Sequence, residues 1–258
     1  MITQSSAYPP GDEGVLLEAR VHGNFPSGIP VNTETDISYS TSVKWEELDE
    51  VRTLHTEWFP VAYHEDFFES IVTGTGFGGG DVVTVVATIG EDPRYIVGMI
   101  TIAIRREEKQ YNPCADLSAY LGLEPSATTA YILTLGVIDE LRGRGVGRRL
   151  LEEGLRKVEQ MDRYCRMVFL HVIEYNESAK KFYLRENFIE FKRYCEFYYF
   201  NGKVYDGVLL YKRIGYRSDR EEIGVLKMTR WLYEKIREIF GSIFTVRRSR
   251  NISDSSLV

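Results

Sequence analysis

Two short stretches carry residue types that could do chemistry at their spacing. The first is "LRGRGVGRRL", residues 141–150, with Gly143, Gly145 and Gly147 set among Arg142, Arg144 and Arg148. A β-branched, apolar run precedes it, "AYILTLGVIDE" from Ala130, and an amphipathic run follows with Val146, Leu150, Leu151, Leu155 and Val158 on one face. Strand, glycine loop and helix start form a layout for holding an anion. The first turn of a helix has unpaired N–H groups and the positive end of the macrodipole. Glycines let a phosphate approach those donors, and arginines add charge. The loop is not a P-loop, because no Lys-Ser or Lys-Thr follows the last glycine. Its spacing also departs from the G-x-G-x-x-G dinucleotide fingerprint. The second stretch is "NESAKKFYLRENF", where Asn176, Ala179, Phe182 and Tyr183 fall on one helical stripe. Plain amphipathic packing accounts for Ala179 and Phe182.

Composition bounds what these residues can serve. The 258-residue chain is long enough for one ample core plus extensions, and at 43% hydrophobic residues it is expected to fold. A net charge of -6 argues against a dedicated nucleic-acid binder. Cys114, Cys165 and Cys195 form no C-x-x-C pair, which suggests a reducing compartment. His22, His55, His64 and His171 show no metal-ligand spacing, so no metal site is expected. The N-terminal residues lack the basic and apolar regions of a signal peptide, and no run reaches transmembrane length.

The elements that must position the two stretches can be read in order. Residues 1–36 read as a largely flexible extension with a short strand at "VLLEARV". "ISYSTS" reads as a first strand. Val43, Leu48, Val51, Leu54 and Phe59 recur at helical spacing, and "PVAYHEDFFESIV" leads into a second helix. "DVVTVVATIG" and "YIVGMITIAIR" flank the turn "GEDPR" as a hairpin, and residues 107–129 read as a loop or insertion. "CRMVFLHVI" is a strand, and Asn201-Gly202 turns a closing hairpin.

The loop resembles the R-x-x-G-x-G signature of the GNAT acetyltransferases, as Arg142, Gly145 and Gly147. The Asn176 stripe is similar to the family's second motif, and the element order β-α-α-β-β-β-α-β-α-β-β matches. The resemblance implies an α/β fold over residues 37–214, the GNAT acyl-CoA N-acyltransferase fold, with a mixed, mostly antiparallel central sheet flanked by helices. It also implies acetyl-CoA as cosubstrate, its pyrophosphate in the loop, Asn176 on the pantetheine arm and Tyr183 near the sulfur. Acetyl transfer to an amine needs a neutral amine, donors for the developing oxyanion and a proton for the thiolate. In such a sheet the strands of Tyr131 and His171 are adjacent and splay apart, which makes these two the candidate general bases. Alternation puts His171 opposite Val168, Leu170 and Val172. Family geometry gives the oxyanion donors to backbone N–H groups near Val137.

The neighbourhoods "WFPVAY", "AYILTLGV", "LHV", "FYLRENF" and the tyrosine-rich hairpin resemble the NatF type of N-alpha-acetyltransferase. The resemblance implies an enzyme that acetylates proteins keeping their initiator methionine, followed by a bulky apolar residue or lysine. It implies Tyr131 and His171 as the catalytic pair, and Tyr63, Leu133 and Tyr198 on the acceptor peptide. For acetyl-CoA it implies Leu135, Gly136 and Val137, the loop residues Gly143, Arg144, Gly145, Val146, Gly147 and Arg148, then Asn176, and finally Tyr183, Leu184, Arg185 and Glu186. A lysine or small-amine acetyltransferase and a non-catalytic acyl-CoA-binding adaptor remain as alternatives. Residues 215–258 place Leu226, Leu232, Ile236, Ile239, Phe240 and Ile243 at near-helical spacing, with seven Lys/Arg against two Glu between Lys227 and Arg250. That is the pattern of a basic amphipathic membrane-surface helix, or of a helix docked on the domain. The resemblance favours the first, on the cytosolic face of a Golgi or plasma membrane, where the N-termini of transmembrane proteins would be met. The aromatic hairpin is also a candidate homodimer surface.

Overall fold

The computed structural model describes residues 37–76, 80–91, 94–105, 115–123 and 127–215. Its elements are β1 (Ile37–Ser40), α1 (Leu48–Trp58), α2 (Glu65–Thr73), β2 (Val82–Ile89), β3 (Tyr95–Arg105), α3 (Ala115–Leu121), β4 (Thr128–Val137), α4 (Val146–Met161), β5 (Cys165–Ile173), α5 (Glu177–Arg185), β6 (Ile189–Phe200) and β7 (Lys203–Arg213). The strands form a seven-stranded sheet in the order β1-β2-β3-β4-β5-β7-β6. Only β4 and β5 pair in parallel. This is the expected mixed, mostly antiparallel α/β arrangement.

Every residue of β2 is buried, as an unbroken apolar run predicts for a strand covered on both sides. Two glycines mark the two faces. A Cβ on Gly98 would lie 3.0 Å from Leu150 of α4, and one on Gly136 would lie 2.1 Å from Trp58 of α1. Gly98 pairs with Val137, next to the Met99–Gly136 pair, so α1 and α4 cover opposite faces. The α4 stripe expected from spacing is buried: Val146, Leu150, Leu151, Leu155 and Val158. Each such side chain contributes about 1.5–3 kcal/mol on leaving water. Arg94 ties the turn before α1 to the sheet, donating to Glu47 Oε1 at 2.5 Å and to the Ser42 carbonyl at 2.8 Å.

The span expected to be a loop, 107–129, contains α3. Its Leu117 and Leu121 cover a second apolar cluster with Met167, Phe169, Leu209 and Tyr211, and Arg213 Nη2 donates to the Leu121 carbonyl at 2.6 Å. Sheet residues on this side need a cover, and a seven-residue helix is too short to show a period in sequence. The "VLLEARV" strand and, apart from Gly215, the amphipathic tail of 215–258 lie outside the described residues.

Candidate active site

β4 and β5 pair from Thr128–Cys165 to Tyr131–Phe169 and then stop, although β4 continues to Val137 and β5 to Ile173. The cause lies on the other edge of β4. Ile102 pairs with Ile132 and Thr101 with Thr134, so Leu133 is an extra residue in the ladder with β3. A bulge of this kind bends a strand and raises its twist, which turns the far half of β4 away from β5. The two strands part just past Tyr131, as expected. At that point Tyr131 Oη and His171 Nδ1 lie 3.2 Å apart.

His171 is half-buried on the face opposite Val168, Leu170 and Val172, as alternation predicts. Its ring stacks on Phe197 with centroids 4.0 Å apart and planes 18° apart, and meets Tyr194 edge-on. Burial pushes its pKa down to about 4, so the imidazole is neutral near pH 7 and can accept a proton. Tyr183 is buried in α5, and burial, then its proximity to Tyr131, raises the phenol above its ordinary range. Tyr198 is half-buried; burial first, then Tyr131, Tyr63 and Tyr183, push it the same way. Mutual influence of this kind requires proximity. The structure therefore gathers four candidate tyrosines and His171 around one wedge.

The glycine loop leads into α4. Gly143 and Gly145 have φ of +73° and +86°, left-handed values that side chains rarely adopt. Gly145 is the N-cap, no side chain caps the helix, and no acid sits in the first turn. The opening N–H groups and the dipole are thus left for an anion. A Cβ built on either glycine meets nothing within 4 Å, so the space above the loop is open. These features fit a pyrophosphate. The arginines divide by role. Arg142 folds back onto Val137 O at 3.0 Å and Asp139 at 2.7 Å, fastening the loop to the end of β4. Arg148 pairs with Glu152 at 3.0 Å and with Glu186 at 3.7 Å, which brings the end of α5 to the loop. Arg144 is exposed and carries no ion pair with a described residue, so its charge is available to a ligand.

Asn176 caps α5, its Oδ1 accepting from Ala179 N–H at 3.0 Å, so its amide nitrogen is the end that can face a pantetheine arm. Ala179 and Phe182 pack on the core. Leu184 and Arg185 lie on the exposed side of α5, away from the buried Tyr183. Leu135, Gly136 and Val137 lie on the part of β4 that β5 does not pair, with Gly136 bare beneath the Trp58 ring.

Tyr63 stacks on Phe67 with centroids 4.5 Å apart, and both border His55, whose importance no sequence signal showed. His55 is buried with its ring among Trp58, Phe59, Tyr63, Phe67 and Phe68. Its Nδ1 donates to the Val51 carbonyl at 2.8 Å, and Nε2 has no partner among the described residues. Burial lowers its pKa to about 4 against an ordinary 6.5. A histidine depressed on folding contributes stability above pH 6.5 that is lost as pH falls toward 4, here about 3 kcal/mol. Replacing His55 with Phe is expected to flatten that part of the acid-side loss in a series of thermal melts from pH 7 to 4.

The Acetyltransferase (GNAT) family profile matches residues 48–188, just over half of the chain. Histone acetyltransferase MCC1 of Arabidopsis thaliana is 30% identical over 63% of this chain and 64% of its own length. N-alpha-acetyltransferase 60 of Xenopus tropicalis is 30% identical over 60% of each. The match thus spans a little under two thirds of these relatives. Among solved structures, Arabidopsis thaliana NAA60 in complex with acetyl-CoA is 30% identical with a TM-score of 0.59, covering 70% of this chain and 99% of that one. The same protein with a bisubstrate analogue superposes equally well, at 29% identity, 69% and 98% coverage and TM-score 0.59. With its sheet, its parted strands and its glycine loop, the chain belongs to the GNAT acetyltransferase family.

Proposed function

We propose that the chain is a protein N-alpha-acetyltransferase of the NatF type, using acetyl-CoA to acetylate N-termini that keep methionine before a bulky apolar residue or lysine. The observation that carries this reading is the Tyr131–His171 pair, 3.2 Å apart where β4 leaves β5. Acetyl-CoA supplies the activated acyl group as a thioester. The α4 N-terminus, Gly143, Gly145 and Arg144 hold its phosphates, and Asn176 orients the arm. His171 accepts the proton of the attacking amine, directly or through water, with Tyr131 orienting the ring or sharing the proton. A base this weak suits late transfer, because the nitrogen becomes more acidic as its bond to carbon forms. Tyr183 Oη, which burial keeps in its phenol form, can donate a hydrogen bond to the leaving thiolate. Tyr63, Leu133 and Tyr198 line the acceptor's approach, where aromatic rings with hydroxyl tips suit a peptide.

The alternative of a lysine acetyltransferase is kept because one relative, MCC1 of Arabidopsis thaliana, is named a histone acetyltransferase. A peptide-library assay that locates the new acetyl group separates the two: acetyl on the α-amine supports the proposal, acetyl confined to lysine side chains overturns it. Arg144→Ala is expected to raise KM for acetyl-CoA about tenfold with kcat little changed, the loss of one charge-assisted contact. The basic amphipathic pattern of residues 226–250 supports a peripheral seat on the cytosolic face of a membrane. Truncation at residue 215 is then expected to abolish flotation with anionic liposomes while activity on short peptides survives.

A further inference from the structure

The hairpin of β6 and β7 does not pair evenly. Tyr194 stands opposite Gly207 and Tyr198 opposite Tyr205, so Cys195, Glu196 and Phe197 face the single residue Asp206. The surplus must leave the plane of the ladder. Glu196 takes a φ of +53°, a left-handed value that persists only where neighbours enforce it. Asp206 does so. Its Oδ1 accepts from the Glu196 N–H at 2.9 Å, and its Oδ2 accepts from Arg193 Nε and Nη2 at 2.8 and 2.6 Å. Arg193 Nη1 reaches on to Glu174 at 2.5 Å, just past the end of β5, and the Glu174 N–H donates to the Asp206 carbonyl at 2.9 Å. An isolated surface ion pair contributes little, but this one is multiply bonded and locks backbone as well as side chains. The bulge lays Phe197 across the sheet face, its ring still partly open to solvent. Its ring folds over Gly207, where a Cβ would lie 2.9 Å away, and lies flat on His171.

We propose that the Arg193–Asp206 clasp, acting through Phe197, is a positioning device for His171: it holds the imidazole with Nδ1 toward Tyr131 and keeps water from one face of the ring. The inference rests on the reading of His171 as the base. The groups facing that ring are Tyr131 from β4, Tyr194 and Phe197 from β6, and Leu209 opposite it on β7. Burial is what lowers its pKa. Uncovering the ring is therefore expected to move its titration upward.

Three variants remove the cover by different routes: Asp206→Ala opens the clasp, Gly207→Ala pushes the ring aside, and Phe197→Ala deletes it. The readout is the NMR titration of the His171 imidazole in the full chain, assigned by the signal missing from His171→Ala. All three are expected to titrate closer to pH 6.5 than the native chain. If the titration returns fully from about 4 to its ordinary 6.5, kcat/KM at pH 6 relative to pH 8 falls by about fourfold, as the neutral fraction dictates. An unmoved titration in folded Gly207→Ala and Phe197→Ala overturns the inference. Should Asp206→Ala fail to fold, Asp206→Asn keeps an acceptor for the Glu196 N–H while weakening the hold on Arg193, and a partial upward shift is expected. Undiminished turnover in His171→Ala would instead sink the base reading, and the NMR titration would still decide whether Phe197 positions the ring.

Discussion

His171→Ala and Tyr131→Phe are each expected to lower kcat by about 10²-fold or more at pH 7, while acetyl-CoA binding, read by calorimetry, is expected to stay close to native. The effect is expected to be large because the two groups meet at 3.2 Å where the sheet opens. It is also not additive. Two residues sharing one hydrogen bond act as a unit, so the double variant is expected to lose far less than the product of the single losses. The pH dependence has a definite sign. Catalysis needs the imidazole neutral, and burial holds its pKa near 4, so the histidine itself imposes no acid limb above about pH 5. A limb seen nearer pH 8 belongs to the acceptor amine. Turnover of the single variants should recover partly at high pH, where the amine is already neutral. Native turnover in both variants at neutral pH would remove them from the mechanism.

Gly145→Val is expected to raise KM for acetyl-CoA about tenfold or more by blocking the loop's donors, and to lower stability by the strain of one forced left-handed residue, on the order of 1–3 kcal/mol. Two causes act together and can be separated. A β-branched residue cannot comfortably hold φ of +86°, so the first turn of α4 must shift; this cost appears as a lower Tm without ligand. A side chain there also enters space that is open in the structure; this cost appears only with the cosubstrate. Gly145→Ala shares the first cost and has less of the second. Unchanged affinity in both variants would show that the phosphates lie elsewhere.

The parts of this molecule legible in its sequence are those governed by local rules. The strands, the α4 stripe and the Asn201-Gly202 turn each follow from periodicity or turn chemistry, and the site loop follows from glycines next to a strand. What escaped depends on pairings between distant residues. Arg142 belongs to a phosphate-loop signature, yet its side chain binds Val137 and Asp139 and fastens the loop. The β6 bulge is hidden because "RYCEFYYF" is aromatic on both faces, so alternation cannot reveal a surplus residue, and its restraint comes from Asp206 on the next strand. His55 looks like any polar residue on α1 until Phe67 and Phe68 of α2 join Trp58, Phe59 and Tyr63 around it.

The parting of β4 from β5 has a thermodynamic consequence. Among the described residues it leaves two unpaired strand edges inside the sheet, where residues 132–137 of β4 offer backbone groups that no described strand on that side takes up. Elsewhere such edges are sites of unwanted association. On the proposed function, a linear amide-bearing arm takes up these groups as an extra strand would. Ligand occupancy is then linked to folding. At a hundredfold excess over Kd the folded state gains about 2.7 kcal/mol, and the melting temperature becomes a titration of cosubstrate concentration. The opening that exposes the chemistry also makes the stability of the protein respond to acetyl-CoA supply.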